Sequence, residues 1–555
     1  MTKIQKRREN CNTISDVIVA NTGLSISDFF NTEKEYYIKD IDKVAKLLAD
    51  KAKSNEHITV VGDYDADGIC ATAILSLVFN EMGWNFSTRL PKRFSEGYGL
   101  SEKIVDEINE GILLTVDNGI TAFNEIKKAK EKGLTVIVTD HHLPDAESPL
   151  PPADIIIDPN AIKNSASFNG YCGAGIAYRL GLEILGKNHP LIPKLLTLAC
   201  VATVADVMPL LEENRQMVKK GLSDMLNKKD ITIGLSSILD KFSLSAYISA
   251  KDIGFRIAPA INAPGRMMDN GAELSLELLT SDTDYKEAQN LAETLFQFNE
   301  ERKNIKNSTV KYLKENIKEN GMEKDCPLIV YERGLPDGLI GIFAGNLAED
   351  YKCPCIVFTD TDEDGILKGS GRSYGNINIK ELLDKHNDLI EQYGGHAEAL
   401  GVSRIKEENL NKLRKSLQED LKEYNRTEDN TLYYDLEINA EELPNYFLDI
   451  ERFAPFGQGN PDIVFYIKNF PVSSERFLQG GETVKLVSKY ATAIGFGMGN
   501  EYKEMDKPKY VDLIGTLSKN SFMGTITKQV EIQKIIKKEE KTFQTEFMRT
   551  LESLS

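Results

Sequence analysis

The stretch Ile58-Thr59-Val60-Val61-Gly62-Asp63-Tyr64-Asp65-Ala66-Asp67-Gly68 decides how this chain is read. An apolar, β-branched run leads into three carboxylates at alternate positions, and Gly68 permits a sharp exit. The pattern predicts a buried strand that delivers acids to its carboxyl end, followed by a helix from near Ile69. Two similar runs follow. Ile112–Val116 ends in Asp117, and Leu134–Asp140 ends in His141 and His142. Apolar runs alternating with helical stretches predict a parallel sheet, and in such sheets ligands gather beyond the carboxyl ends of the strands. Asp63, Asp65, Asp67, Asp117, His141 and His142 are therefore expected in one cluster, joined by Asp206 at the end of the Leu195–Ala205 run. Carboxylates packed so closely need a compensating cation. A divalent metal site is the simplest answer.

An EF-hand loop also begins Asp-x-Asp-x-Asp-Gly, but its closing acid would fall at Leu75, and a strand rather than a helix precedes Asp63. Calcium is disfavoured on those grounds. Mixed carboxylate and imidazole ligands suit Mn²⁺, Mg²⁺ or Fe²⁺. Two such ions, about 3.5–4 Å apart, can clamp a phosphodiester and activate a water. Asp117, on a central strand, is the natural bridging ligand. Asp65 would serve one ion, while Asp67, His141 and Asp206 serve the other. Asp63 and His142 would then support the ligands or transfer protons. The partition between ions stays open at this stage. Gly173-Ala174-Gly175 suits close packing of a helix start, and packing alone is the expected role. Cys353-Pro354-Cys355 lacks a second thiol pair, so a buried strand is expected there rather than zinc.

At 555 residues, with 41% hydrophobic and 27% charged content, the chain is globular and too long for one core. No apolar run is long enough to span a bilayer and no signal core follows the basic start, so no membrane partner and a cytoplasmic location are expected. Seven scattered cysteines fit reduced thiols. A net charge of −18 argues against general coating of nucleic acid but leaves room for a narrow basic channel.

The predicted organisation is α/β. A helical lead-in over 1–55 precedes a parallel-sheet domain over 56–283. A single long amphipathic helix over 284–320 connects it to a second α/β domain over 321–424. A polar linker, 425–430, leads to short strands over 431–540 that predict a small β-barrel, and 541–555 forms a tail.

Four segments resemble the motifs of the DHH phosphoesterase superfamily: Asp63–Gly68, Thr115–Gly119, Val138–His142 and Ala205–Leu210. Pro91–Leu100, Asn262–Met267, Gly369–Ser373, Gly394–Ala397 and Pro455–Pro461 narrow the resemblance to the RecJ family within it. That likeness implies a DHH domain, a connecting helix, a DHHA1 domain and a C-terminal OB-fold. It also implies an exonuclease specific for single-stranded DNA, acting 5′→3′ with two divalent ions, Mn²⁺ or Mg²⁺. By the same likeness, Arg93, Ser370 and Arg372 would grip the terminal 5′-phosphate. Arg266 would hold the backbone, and His396 would reach toward the scissile phosphate. A monomer cooperating with a helicase and a single-strand-binding protein is expected. The chain departs from the pattern at Pro264, where a small residue is usual, and at Asn346, where a basic residue is frequent. Two rivals remain: a DHH phosphodiesterase for short oligoribonucleotides or cyclic dinucleotides, and a non-catalytic replication adaptor. Loss of metal ligands would mark the adaptor, and here all are present.

Overall fold

The computed structural model describes residues 3–144, 148–424, 431–522 and 525–537. The expected linker 425–430 and tail 541–555 lie outside the described residues. Five parallel strands form the first sheet. Their spatial order is Phe86–Arg89, Ile58–Val61, Ile112–Val116, Thr135–Thr139, Ile155–Ile157. The chain steps to one side after Ile58–Val61 and to the other side from Ile112–Val116 onward. The switch point therefore falls between those two strands, where a crevice opens at their carboxyl ends. Every residue of both strands is buried, which explains their unbroken apolar pattern. The helix after the acidic loop spans Ala66–Met82, three residues earlier than the sequence predicts, because Asp65 caps it.

The predicted long helix spans Tyr285–Glu319, with Asp284 as its N-cap. Its first half buries Ala288, Ala292 and Leu295 in the core of the first domain. Its second half buries Val310, Leu313 and Ile317 in the next domain. One rigid rod thus fixes the distance between two cores. The second domain carries a mixed sheet ordered Gln392–Gly395, Ala399–Lys406, Ile366–Arg372, Cys355–Asp360, Leu328–Tyr331. Cys353 and Cys355 are buried there, as the apolar context predicts.

The C-terminal domain is a seven-stranded sheet dominated by the hairpin of Tyr510–Phe522 and Thr525–Lys537. Its edge strands, Leu436–Asn439 and Ser474–Leu478, do not pair with each other among the described residues, so the barrel is partly open. Phe453 and Phe465 are buried in its core.

The N-terminal lead-in carries the expected helices, Ile14–Thr22, Ile26–Phe29 and Ile41–Lys53, but opens differently. Lys3–Lys6 is a strand, paired in parallel with Thr431–Tyr434, and Arg7 forms an ion pair with Asp435 at 3.2 Å. Cys11, Ile14, Val17, Ile18 and Phe29 then pack into the core of the C-terminal domain. A contact so distant in sequence leaves no periodic trace in either partner. Ile18→Ala should cost about 2–5 kcal/mol of local stability. Hydrogen exchange should then accelerate in Val464–Pro471 and Tyr510–Phe522 but not in Ile58–Val61. Acceleration confined to residues 10–30 would contradict this packing.

Candidate active site

Asp117 stands at the end of its strand with φ 62°, a left-handed conformation that aspartate tolerates better than most residues. This turn places its carboxylate in the crevice. Asn118 donates to the carbonyls of Val61 (3.1 Å) and Val116 (2.9 Å), clamping the two strands at the switch point. In the neighbouring loop, Asp65 Oδ1 accepts from the amides of Asp67 (3.0 Å) and Gly68 (3.1 Å). That carboxylate shapes the loop through one oxygen and leaves the other available.

Asp67 is held from the opposite side. Gly173 N donates to Oδ2 at 2.7 Å and Ala174 N to Oδ1 at 2.8 Å, from the start of the Gly173–Leu185 helix. The positive end of that helix favours the carboxylate. A Cβ at Gly173 would lie 2.4 Å from Asp117 Cβ and 2.6 Å from its Oδ1. The small-residue segment, expected to serve packing alone, therefore orients one acid and makes room for another.

The imidazole of His141 completes the cluster. Its Nε2 lies 3.1 Å from Asp117 Oδ1 and 3.6 Å from both Asp67 Oδ2 and Asp206 Oδ2. Two sets of ligand atoms converge, each within 4.8 Å of one another: Asp67, His141 and Asp206, and Asp117, His141 and His142. His142 thus stands among the ligand atoms, whereas the sequence reading gave it a supporting role. Asp63 and Asp65 lie outside both sets.

Asp140 organises the pair of histidines. Its Oδ1 accepts from His141 N (2.8 Å) and His142 N (3.2 Å) and meets His142 Nδ1 at 2.7 Å. Its Oδ2 accepts from Ile120 N at 2.9 Å. Asn160 anchors the carbonyl of His141 at 2.6 Å, and Tyr98 Oη sits 3.2 Å from His142 Nε2.

The electrostatics fit a cation. Asp117 Oδ1 and both Asp63 oxygens are buried without a hydrogen bond. Burial raises the Asp117 carboxyl well above its usual range, and Asp67, Asp65, Asp140 and Asp63 push the same way. Asp63 is raised by burial and by Asp65, against the pull of the Tyr64 amide and Arg93. Asp206 is pushed up to about 8 by burial, Asp67 and Asp65. Removing such groups from water is costly unless opposite charge compensates. A shared pair of divalent ions suits this donor set of carboxylate oxygens and imidazole nitrogens.

Beside Asp65 lies a set of guanidinium groups. Arg93 stacks on the Tyr64 ring at 3.9 Å, and its Nε is buried without a partner. Its loop is tied to the segment after Arg266, because Asp269 accepts from the amides of Phe94 (3.0 Å) and Ser95 (3.3 Å). Burial pulls Arg266 down to about 10, and Arg93, Arg302 and Arg372 act in the same direction, against Asp65. Arg266 Nη1 also donates to the carbonyl of Gly338 in the second domain, at 3.2 Å. Ser370 and Arg372 share one face of the Ile366–Arg372 strand, and Arg372 Nη1 meets Ser370 Oγ at 3.2 Å. A Cβ at Gly341 would lie 2.9 Å from both side chains. Clustered buried cations need an anion as much as the acids need a metal. Arg302, on the long helix, joins this group and carried no signal beyond its helical spacing.

His396 is exposed on the turn between Gln392–Gly395 and Ala399–Lys406, outside the carboxylate–imidazole cluster. Pro264 is buried within the Ala258–Met267 helix. Asn346 Nδ2 donates to Ile342 O of its own helix at 2.8 Å.

Three family models match in series: the DHH family N-terminal domain over 57–203, the DHHA1 domain over 325–423 and the RecJ OB domain over 434–534. A Haemophilus influenzae protein named single-stranded-DNA-specific exonuclease RecJ is 32% identical over 451 residues, covering 77% of each chain. The chain belongs to the RecJ family. A Bacillus subtilis relative of the same name is 30% identical over 546 residues, 95% of this chain and 66% of its own length. The crystal structure of RecJ from Thermus thermophilus in complex with Mn²⁺ matches with a TM-score of 0.77 at 28% identity. That match covers 95% of this chain and 76% of the other. The RecJ-family fold thus spans all three domains. Among the described residues, no helix is long and apolar enough to cross a membrane.

The histidines yield a pH test. Burial disfavours the His142 imidazolium, but the hydrogen bond and charge of Asp140, with Asp206 and Asp67, outweigh it and raise the group from 6.5 to about 9. In chelator-treated protein its contribution to stability should be complete below about pH 6.5 and fade as pH rises through about 9. Ring-proton NMR should show Asp140→Asn moving this titration down toward 6.5. An unchanged midpoint would show that Asp140 does not set it.

Proposed function

We propose that this chain is a metal-dependent exonuclease that degrades single-stranded DNA from the 5′ end to 5′-mononucleotides, in DNA recombination and repair. The observation that carries the reading is the convergence of Asp67, Asp117 and Asp206 on His141 Nε2 beside a buried arginine cluster. Family membership supplies the substrate class. Asp65, Asp67, Asp117, His141 and Asp206 would hold two divalent ions, Mn²⁺ or Mg²⁺. When bound, these would supply charge neutralisation at the phosphodiester and lower the pKa of a water. Asp63 and His142 would handle protons next to that water.

Arg93, Ser370 and Arg372 would bind the terminal 5′-phosphate, using guanidinium forks and a hydroxyl suited to phosphate oxygens, and Arg266 would hold the strand backbone near the cleft. A terminus anchored there presents its first phosphodiester to the acids, so one nucleotide leaves per event. His396 would approach the scissile phosphate from the second domain. The partly open C-terminal sheet would guide the strand by stacking and backbone contacts, indifferent to sequence. The division into units at 56–283, 284–320, 321–424 and 431–540 follows the same reading. So does the supply of single strand by a helicase and a single-strand-binding protein. A long connecting helix and a third domain favour a polymer over a dinucleotide.

The test is digestion of 5′- and 3′-labelled oligonucleotides, single and double stranded, with Mn²⁺, Mg²⁺ or chelator. The expected result is metal-dependent release of mononucleotides from the 5′ label of the single strand alone. Asp117→Ala should abolish it in folded protein. Arg372→Ala should raise KM for 5′-phosphorylated strands by roughly 10-fold or more, for a lost charged hydrogen bond, and should barely change it for 5′-hydroxyl strands. Release from the 3′ label, or turnover in chelator, would overturn the reading.

A further inference from the structure

The loop that carries Asp206 does not stand on its own domain alone. Val207, immediately after the ligand, has φ 56°, a left-handed conformation costly for a β-branched residue, and its side chain is 66% exposed. A strained residue persists only where its surroundings over-determine it. Its own helix closes the turn, with Val207 N donating to Val204 O (3.2 Å) and Met208 N to Thr203 O (3.0 Å), and the C-terminal domain holds the chain that leaves it. Leu210 N donates to Gln458 O at 2.7 Å. A Cβ on Gly457 would lie 2.8 Å from Leu210 Cδ1, and one on Gly459 would lie 3.2 Å from Leu211 and 3.4 Å from Pro209. Gly459 itself has φ 74°, so the close fit and the turn both require glycine.

The turn is gripped in return. Arg215, 5% exposed, donates from Nη1 to Phe453 O (2.9 Å) and from Nη2 to Arg452 O (3.3 Å), and stacks on Phe29 at 4.0 Å. Asn460 Nδ2 donates to Phe453 O (3.1 Å) and Pro455 O (2.8 Å). The two residues before Arg215 face the metal cluster's supports. Asn214 Nδ2 donates to Pro209 O at 3.1 Å and also to Gly170 O. Glu213 accepts from Tyr171 Oη and pairs with Arg179 at 3.1 Å. Gly170 and Tyr171 lead directly into Gly173 and Ala174, whose amides hold Asp67.

We propose that Arg215 and the Phe453–Asn460 turn are positioning elements of the metal centre: docking of the C-terminal domain holds the Asp206 loop in its ligating conformation. Occupancy of the ion that Asp206 holds then depends on that docking, whereas the other ion's does not. A strand that engages the C-terminal domain would thereby stabilise the centre that cuts it. This inference rests on the two-ion reading above.

The experiment titrates the full-length, chelator-stripped chain with Mn²⁺ and follows free Mn²⁺ by electron paramagnetic resonance, without DNA. Wild type should bind in two steps. Arg215→Met keeps an unbranched apolar side chain beside Phe29 and removes the guanidinium donors. It should weaken one step by about 10- to 100-fold, the range for lost support of a ligand, and leave the other unchanged. Asp206→Asn should weaken the same step, and the double variant should add little to it, since both act on one ligand. Gly459→Ala, a single methyl against Leu211 and Pro209, repeats the test if circular dichroism shows Arg215→Met unfolded. Two unchanged steps in the folded variant, equal weakening of both, or additive effects with Asp206→Asn would overturn the inference. Absence of Mn²⁺ binding by wild type would overturn the two-ion reading itself.

Discussion

Like charges held out of water at close range are the constraint around which this molecule is built. Asp63, Asp67 and Asp117 are almost fully buried, and Asp206 faces them across His141. Their mutual repulsion is relieved in part by backbone amides at the Gly173 helix start, by the two imidazoles and, at Asp63, by Arg93. It still leaves Asp117 Oδ1 without a hydrogen bond. The remaining negative potential is what a pair of divalent cations would neutralise. A phosphodiester, itself anionic, can enter such a site only with those cations present.

The arginine group beyond Asp65 is the complementary constraint. Arg266, Arg302 and Arg372 are each lowered by burial, so they too await an opposite charge. They come from the first domain, the long helix and the second domain. An anion bound among them would draw all three elements together. The Tyr285–Glu319 helix, buried at one end in each core, keeps that pocket at a fixed distance from the acids. A place for an anion and a place for cations thus follow from two opposite charge imbalances held by one rigid spacer.

Much of this could be read from the chain because burial leaves a pattern. Ile58–Val61 and Ile112–Val116 are apolar throughout, so the acids that follow them stand out against a strong background. The parallel sheet, the long helix and the convergence of Asp67, Asp117, His141 and Asp206 were all legible for this reason. Backbone roles were not. Gly173 and Ala174 act through amides, Asn118 through a clamp on two carbonyls, and Asp140 by orienting both histidines, and none of these leaves a spacing to count. Arg302 looked like any charged helical residue. Contacts remote in sequence were equally silent: the pairing of Lys3–Lys6 with Thr431–Tyr434, and the grip of Arg215 on Phe453, become visible only when the domains are in place.

The most direct measurement is an anomalous difference map from a crystal soaked in Mn²⁺. Two peaks are predicted within coordination distance of the cluster, with Asp117 between them and Asp67, His141 and Asp206 around one. A map with no peak among these residues, or with a single peak that Asp117 does not touch, would contradict the account.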